Sequence, residues 1–367
     1  MPRLILQNAQ VISPIDEFKA NLLISDGFIQ SIDPVNSLIV CDNTPIIDCE
    51  NFYVTPGLID LQFNGNNICN LWTKPNQADF VRMCEDLARN GCTSFLPTLI
   101  TDEIINLEQG IDFLAHYCLD SLKVFNDKVC NRILGIHLEG PFISKDRCGV
   151  HPHEFILKPS LDIAQRLCRQ ANIKIMTIAC EEDPELSVTK FLQSIGVTVS
   201  LGHSNASLGN ANWAFSHGVN LVTHLFNAMP SIHHRNPGLV TAALLAQNVT
   251  CALIPDGLHL DKNIIKLVIK TKGINNVILV TDCATVGTSG GGLVGSSITL
   301  SQGVRNLVEW NICSFQQAIM MASYNCAKVL NNLDYIGVIA QGKCADLILW
   351  DKANLEIKAV VINGQIV

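Results

Sequence analysis

Three side chains that can bind a metal ion follow apolar runs of the sequence, each at the point where its run ends. They are Glu139, His203 and His224. Zinc hydrolases use one carboxylate and two imidazoles as ligands and leave a fourth coordination position open for water. A metal in such a site lowers the pKa of the bound water from about 16 to about 7, which makes it a nucleophile at neutral pH. The sequence therefore predicts a catalytic metal site formed by these residues.

Asp282 directly follows another apolar run, 277–281, and supplies a second carboxylate at an equivalent position. It is placed to accept the proton of that water and to pass it to a leaving amine. Each residue alone also has a structural interpretation, because a histidine after a strand commonly makes only hydrogen bonds and Glu139 could cap a loop before Gly140-Pro141. Gathering all these groups without a metal or substrate would cost much desolvation energy. We therefore favour the joint metal site.

The elements that must position these side chains are apolar runs separated by amphipathic, helix-like stretches. Several runs are apolar at consecutive positions, which is typical of parallel strands buried on both faces. About eight such units predict an α/β fold, a (β/α)8 TIM-like barrel, with a doubly wound open sheet as the alternative. In either fold the residues just past the strand ends meet at one face. The runs are 58–63, 93–97, 133–138, 173–179, 197–201, 221–223, 251–254 and 277–280.

Both ends of the chain are instead predicted to contain short strands and turns. Asp26-Gly27 lies between alternating runs and indicates a hairpin, and Asn363-Gly364 separates two strand-like segments. We predict that residues 1–54 and 338–367 together form a small β-sandwich domain, and that residues 55–337 form the barrel hydrolase domain.

The composition indicates a folded globular protein and argues against two classes of partner. Of the 367 residues, 48% are apolar and 16% are charged, which allows a large core. The formal net charge is -8 and no run of Lys and Arg is long enough to track a phosphate backbone, so we expect no nucleic-acid partner. No apolar stretch reaches bilayer length, so we expect no membrane partner.

Cysteine usage predicts a reducing compartment. The 15 cysteines are odd in number, none forms a Cys-x-x-Cys pair, and several, such as Cys92, Cys180 and Cys251, lie in apolar runs. The first ten residues alternate apolar and polar side chains and lack the layout of a signal peptide. We therefore expect free thiols and a cytoplasmic location.

The motifs that contain these residues resemble, in order, those of the N-acetylglucosamine-6-phosphate deacetylases of the amidohydrolase superfamily. The resemblance runs almost from end to end, and His-Leu-Glu-Gly-Pro followed by Thr-His-Leu-x-Asn-Ala-Met is highly specific. Pro-Gly-x-x-Asp alone would mark only the wider superfamily. The matching segments are 56–60, 137–141, 202–206, 223–229, 256–259, 280–282, 295–297, 303–308, 342–343 and 345–347.

The resemblance implies metal-dependent hydrolysis of the N-acetyl group of N-acetylglucosamine 6-phosphate, giving glucosamine 6-phosphate and acetate. It implies that Glu139, His203 and His224 hold one divalent metal ion per subunit. Zinc is expected and iron is the alternative, because this ligand set suits both. Asp282 would be the catalytic acid and base, and His151 matches a histidine that helps the metal to polarise the acetyl carbonyl.

The resemblance also implies substrate contacts and a partner subunit. Asn227 and Ala228 would offer backbone groups to the sugar phosphate, and His259 and His151 would contact the substrate. Arg235 matches an arginine that reaches the phosphate from the neighbouring subunit, and the planar guanidinium fork suits phosphate oxygens. The expected partners are thus an amino sugar phosphate and a second copy of the chain, in a homodimer.

Two segments depart from related sequences. Many superfamily members carry His-x-His at the end of the first barrel strand and bind a second metal there, whereas this chain has Gln62-Phe63-Asn64. Carboxamides are poor ligands for a second zinc ion, so we predict one metal. Residues 283–294 are shorter than the strand-bearing segment that the resemblance implies, so we expect a change in stability and in closure over the substrate, although no predicted ligand is lost. The run Gly290-Gly291-Gly292 within them lacks the lysine and helix of a phosphate loop.

Two alternative functions remain open at this point. The first is an amidohydrolase that acts on another N-acyl sugar or on a cyclic amide, although a cyclic-amide enzyme has no need of Arg235 and His151 as described. The second is a catalytically impaired homologue that only binds sugar phosphates. The intact set of metal ligands with Asp282 argues against the second, because a binder has no physical need to keep these buried charges.

Overall fold

The computed structural model describes residues 3–37, 44–118, 131–169, 171–285 and 294–367. These residues form two β-sheets, one of them surrounded by helices. The strands are β1 Arg3–Ile12, β2 Glu17–Ser25, β3 Phe28–Asp33, β4 Ile46–Asp48, β5 Phe52–Pro56, β6 Leu58–Phe63, β7 Cys92–Ile100, β8 Arg132–Ile133, β9 Ile136–Glu139, β10 Ile173–Ile178, β11 Thr198–Leu201, β12 Leu221–Val222, β13 Thr250–Leu253, β14 Val277–Leu279, β15 Leu347–Asp351, β16 Ile357–Ile362 and β17 Gln365–Ile366.

Strands β6 to β14 form a parallel sheet in the order β14-β13-β12-β11-β10-β9-β7-β6, with β8 paired to β7. Side chains of β6 and β7 are buried at every position, as expected for strands covered on both faces. A parallel bridge between Phe63 and Cys283 joins the two ends of the sheet, and the N–H of Asp282 donates to the carbonyl of Gln62 at 2.9 Å. The sheet is thus a nearly closed barrel, which confirms the (β/α)8 prediction over the open sheet.

In the described part of the chain, one helix follows each of the first seven barrel strands, and three helices follow β14. The first, after β6, begins at N-cap Asn76, whose side chain accepts from the N–H of Asp79, and ends at Asn90. No helix among the described residues is both long enough and apolar enough to cross a membrane. The helices are α1 Gln77–Arg89, α2 Ile104–Cys118, α3 Leu161–Cys168, α4 Ser187–Ser194, α5 Leu208–Ser216, α6 Leu239–Leu245, α7 Lys262–Lys272, α8 Leu300–Glu309, α9 Phe315–Ala322 and α10 Tyr324–Val329.

The strands from the two ends of the chain form the second sheet, in the order β17-β16-β15-β5-β1-β2-β3 with β4 on β1. Leu347 and Leu349 of β15 pack in a core that belongs to this sheet, while Ile348 and Trp350 pack against the barrel. Alternate side chains of a strand point to opposite faces, so both faces of β15 are buried. The predicted β unit built from both ends is confirmed. We propose on this basis the division into residues 1–54 with 338–367 and residues 55–337.

The shortened segment 283–294 lies mostly outside the described residues, which omit 286–293, and the run Gly290-Gly291-Gly292 lies wholly outside them. On either side of the omitted residues the backbone is paired. The N–H of Ser296 donates to the carbonyl of Asp282 at 2.9 Å. The chain that follows the segment is therefore anchored directly beside Asp282.

Candidate metal centre and active site

Glu139, the last residue of β9, lies between two histidines at the carboxyl end of the barrel. Its Oε1 is 3.2 Å from Nε2 of His203 and 2.9 Å from Nε2 of His224, and the two imidazole nitrogens are 3.2 Å apart. Ligand atoms around a tetrahedral zinc ion, each about 2.0 Å from it, lie about 3.3 Å from one another. The three side chains that the sequence predicted therefore come together in an arrangement that one divalent ion fits.

The two histidines present the nitrogen that a metal requires. His203 Nδ1 donates its hydrogen to the backbone carbonyl of Arg147 at 2.9 Å, so in the neutral ring Nε2 carries the lone pair. Metal-bound histidines usually make this second hydrogen bond, which fixes the tautomer and the ring orientation. Nδ1 of His224 is buried and has no hydrogen-bond partner among the described residues. The chemistry of this donor set fits a divalent metal.

His151 is a further donor that faces the same carboxylate. Its Nε2 lies 3.8 Å from Oε2 of Glu139, and Glu139, His151 and His203 also have ligand atoms within 4.8 Å of one another. The backbone N–H of Thr101 donates to its Nδ1 at 3.2 Å, so in the neutral ring the hydrogen resides on Nε2. Burial, together with the nearby His203, holds the pKa of His151 well below its usual range. His151 is therefore suited to donate a hydrogen bond, whereas Nε2 of His224 lies closer to the carboxylate of Glu139, at 2.9 Å.

The charged groups of this cluster shift one another's pKa. Burial alone would raise the pKa of Glu139, but hydrogen bonds and positive charge from His203 and His224 hold it well below its usual range. Burial would lower the pKa of His224, but its hydrogen bond to Glu139 and the charge of that carboxylate raise the pKa to about 9. The group that compensates the buried carboxylate is thus a proton on imidazole, and metal binding to histidine displaces such a proton.

Asp282 faces the same cavity and is held by two carboxamides. Its Oδ1 accepts from Nδ2 of Asn64 at 2.7 Å and from Nε2 of Gln62 at 3.0 Å. The same Gln62 nitrogen lies 3.0 Å from Oε1 of Glu139, so it bridges the two carboxylates. Burial and the charge of Glu139 raise the pKa of Asp282 to about 6. A carboxyl group that titrates near neutrality can both accept and return a proton.

The backbone turns sharply where three of these side chains leave their strands. His203, His224 and Asp282 have φ values of 45°, 27° and 49°, which residues other than glycine seldom adopt. Such strain is concentrated at active sites, where the surrounding structure maintains it. Gly295 beside Asp282 has φ +71°, and a Cβ there would lie 2.4 Å from the Asp282 carbonyl oxygen. Only glycine therefore allows this close approach.

The side chains described above surround a cavity of about 160 Å³. The predicted substrate residues Asn227, Ala228 and His259 line it, and Nδ1 of His259 lies 2.6 Å from Oδ2 of Asp256, which orients the ring. Arg235 is exposed and is not part of this lining. Among the described residues, one chain thus brings together every predicted site residue except Arg235.

Sequence reasoning missed part of the site. Gln62 and Asn64 entered it only as residues that replace metal ligands, although their position at the end of β6 was the signal that they belong to the site. Trp72 also lines the cavity, and its Nε1 donates to Oδ1 of Asn64 at 3.1 Å. No local pattern singled out Trp72, because its place depends on how the loop after β6 folds back over the barrel.

Comparisons with known proteins agree with this geometry. Residues 53–367 match the amidohydrolase family. An N-acetylglucosamine-6-phosphate deacetylase of Caenorhabditis elegans is 32% identical over 356 residues, which cover 87% of this chain and 83% of the relative. A protein of the same name from Bacillus subtilis (strain 168) is 30% identical over 338 residues, with 85% and 83% covered.

A solved structure extends the likeness to the whole fold. The N-acetylglucosamine-6-phosphate deacetylase of Pasteurella multocida has a TM-score of 0.86 and 28% identity, and the superposition covers 100% of this chain and 99% of that one. The sequence matches and the shared fold lead to the same assignment. The chain belongs to the amidohydrolase family, among the N-acetylglucosamine-6-phosphate deacetylases.

Proposed function

We propose that this chain hydrolyses the N-acetyl amide of N-acetylglucosamine 6-phosphate to glucosamine 6-phosphate and acetate. One observation carries the proposal: Nε2 of His203 and of His224 lie within 3.2 Å of one oxygen of Glu139. Asp282 and His151 line the same cavity. The relatives that are at least 30% identical carry the name of this activity, which supports the glucosamine rather than the galactosamine form.

The proposed metal site holds one divalent ion on Glu139, His203 and His224, with zinc as the ion and iron as the alternative. When bound, the ion acidifies a water molecule and polarises the acetyl carbonyl. A single ion is supported by Gln62, the residue at the end of the first barrel strand. Its side-chain nitrogen donates to Glu139 and Asp282, and an amide NH₂ group is not a metal ligand.

Asp282 carries the proton in this proposal. Its carboxylate accepts a proton from the attacking water and returns it to the sugar nitrogen as the amide C–N bond breaks. The pKa of about 6 suits both steps. Asn64 and Gln62 hold one of its oxygens, which leaves Oδ2 to face the reaction.

His151 acts on the carbonyl oxygen. Its Nε2 is buried and has no hydrogen-bond partner among the described residues, and Thr101 fixes the ring through Nδ1 at 2.8 and 3.2 Å. A preorganised N–H donor of this kind stabilises the negative charge that develops on the oxygen during attack. Its low pKa keeps the ring neutral, so the tautomer and not a net charge provides the donor.

The phosphate end of the substrate is proposed to lie toward Asn227, Ala228 and His259, which line the cavity on this chain. Arg235 would come from the second subunit of a homodimer, because it is exposed and absent from the cavity of its own chain. A guanidinium fork matches two phosphate oxygens.

We also propose a cytoplasmic location. No disulfide joins the cysteines that the structure describes, and structural disulfides are rare in reducing compartments.

The direct test measures metal content and acetate release on the same preparation. We expect about one equivalent of zinc or iron per chain and release of acetate from N-acetylglucosamine 6-phosphate. The unphosphorylated sugar should react at least ~100-fold more slowly, because a site built for a charged group is left unpaired without it. Equal rates on the two sugars would contradict the proposed binding of the phosphate group. A metal-loaded protein that releases no acetate would contradict the proposed deacetylase activity.

The contribution of Arg235 from the partner can be tested by mixing two inactive variants, Arg235→Ala and Asp282→Asn. In a mixed dimer one site combines an intact Asp282 with an intact Arg235 of the other chain. Random mixing should therefore restore about a quarter of wild-type activity. Mixing that restores nothing, with dimers present, would contradict the shared site.

A further inference from the structure

A second and larger cavity lies directly beside the metal site. It measures about 600 Å³, against about 160 Å³ for the cavity around the metal ligands. Its lining is chiefly apolar and includes Leu99 from β7 and Phe113 from α2. The two cavities have three lining residues in common, Trp72, Ile100 and Val150. We refer to these three residues, which line both cavities, as the wall.

The wall adjoins His151, whose Nε2 faces the acyl carbonyl in the proposed reaction. Ile100 precedes Thr101, whose N–H donates to Nδ1 of His151, and Val150 precedes His151 itself. In the proposed reaction the acyl carbonyl would lie next to Nε2 of His151, and the acyl methyl group would extend from its carbon. Most other side chains around the metal cavity are polar or charged, so the apolar wall is the surface that a methyl group can contact without leaving polar groups unpaired.

Trp72 is held rigidly in the wall. Its backbone N–H donates to Oδ1 of Asn70 at 2.9 Å, and its Nε1 donates to Oδ1 of Asn64 at 3.1 Å. Asn64 in turn donates to Asp282 at 2.7 Å. The Trp72 ring is thus held by Asn64, the same residue that positions the proposed proton carrier Asp282.

We propose that Trp72, Ile100 and Val150 form the acyl pocket and that the Trp72 ring determines specificity by limiting the pocket to short acyl groups. The inference rests on the proposed function. Removing the ring joins the acyl pocket to the apolar cavity, which has a volume in the range of ligand pockets. The opened site would accept amino sugar phosphates that carry longer, aliphatic N-acyl chains.

The test compares N-acetyl-, N-butanoyl- and N-hexanoylglucosamine 6-phosphate as substrates of the metal-loaded enzyme, with release of the free amine as the readout. The wild type should lose at least ~10-fold in kcat/KM for each lengthening, because an extra methylene that does not fit costs 10-fold or more. Trp72→Ala should raise the hexanoyl-to-acetyl ratio of kcat/KM by about 100-fold. Val150→Ala enlarges the pocket and keeps the hydrogen bond from Trp72 to Asn64. It should raise the same ratio by about 10-fold.

Two controls separate pocket size from positioning. Trp72→Phe keeps most of the ring but loses the bond to Asn64, so it should lower all three rates together and leave their ratio as in the wild type. Asn106 lines only the larger cavity, so adding Asn106→Trp to Trp72→Ala should refill that cavity and return the ratio to the wild-type value.

The inference and the proposed function can fail separately. If the Trp72→Ala enzyme hydrolyses the acetyl substrate and its hexanoyl-to-acetyl ratio of kcat/KM is unchanged, the wall does not determine specificity. The proposed deacetylase activity would not be affected by that result. A wild type that cleaves the hexanoyl substrate as fast as the acetyl one would also contradict it. A metal-loaded wild type that cleaves none of the three substrates would overturn the proposed function together with the inference.

Discussion

Two clusters of buried charged groups differ in whether the protein completes their hydrogen bonds. Where the terminal sheet meets the barrel, Asp346 accepts from Arg132 at 2.6 and 3.2 Å and from the N–H of Asn363 at 2.8 Å. At the barrel mouth, Nε2 of His151 and Nδ1 of His224 are buried without a partner among the described residues.

The difference indicates what each cluster does. Buried polar groups in folded proteins are nearly always hydrogen-bonded, so unpaired ones require an explanation. The junction around Asp346 has its partners within the chain, and we expect it to stabilise the fold. At the mouth we expect a substrate to pair with Nε2 of His151 and a metal ion to compensate the carboxylate of Glu139. Variants at the mouth should therefore change activity and metal binding, while variants at the junction should change stability.

The largest effect is expected from Glu139→Gln, which keeps the size of the side chain and removes its charge. Loss of the ion should lower acetate release by about 10⁴-fold or more, because a bound metal supplies several kcal/mol of catalysis. Added zinc should raise the unfolding temperature of the wild type, since a ligand of the native state stabilises it, and should leave that of the variant unchanged. Metal analysis and thermal unfolding measure both effects. Glu108→Gln, at an ion pair with Arg166 away from the mouth, is the control and should behave as the wild type.

Asp282→Asn should separate proton transfer from metal binding. The variant lacks the proton acceptor but leaves Glu139, His203 and His224 intact. We expect a full equivalent of metal and a turnover lowered by about 10²–10⁴-fold, the usual contribution of acid–base catalysis. Near-normal turnover would remove Asp282 from its role, and loss of the metal would make it a ligand instead.

At the junction, Asp346→Ala should act in the opposite way. It removes the carboxylate that pairs with the largely buried Arg132, which should lower the free energy of unfolding by about 3 kcal/mol. The kcat of the folded fraction should stay within about 2-fold of the wild type, since the pair lies away from the site. Urea unfolding of the two proteins measures the first quantity. Glu108→Ala, at a more exposed ion pair, is the matched control and should cost under about 1 kcal/mol.

The smallest effect concerns pH. The pKa of Asp282 is raised to about 6, and the ionised form is the one that accepts a proton. With metal saturating, kcat/KM should be level above pH 6 and should fall about tenfold per unit below it. Asn64→Ala removes a hydrogen bond to the ionised carboxylate, so its pKa should rise and the acid limb should move to higher pH. A limb that moves to lower pH would contradict the proposed bond.

Much of the fold and of the metal centre could be predicted from local sequence. Runs that are apolar at consecutive positions indicate parallel strands, and the side chains just past their ends, such as His203 and His224, must meet at one face. The terminal sheet was predicted only as a unit. Its strand order depends on pairing between residues as distant as Thr55 and Ile348, which no local period encodes.

The details that decide function depend on tertiary contacts. The hydrogen bond from Thr101 to His151 assigns the tautomer of that ring, and nothing in the spacing of the two residues indicates it. The same holds for Trp72, whose ring reaches the site through Asn64. The positive φ values of His203 and Asp282 also run against local preference, as functional sites commonly do.

The most direct measurement is a crystal structure of the zinc-loaded protein with anomalous scattering recorded at the zinc edge. The account predicts one ion per chain, about 2.0–2.2 Å from an oxygen of Glu139 and from Nε2 of both His203 and His224, with His151 beyond bonding distance. An ion bound through His151 while His224 stays free, or full zinc content with no ion in this cluster, would contradict it.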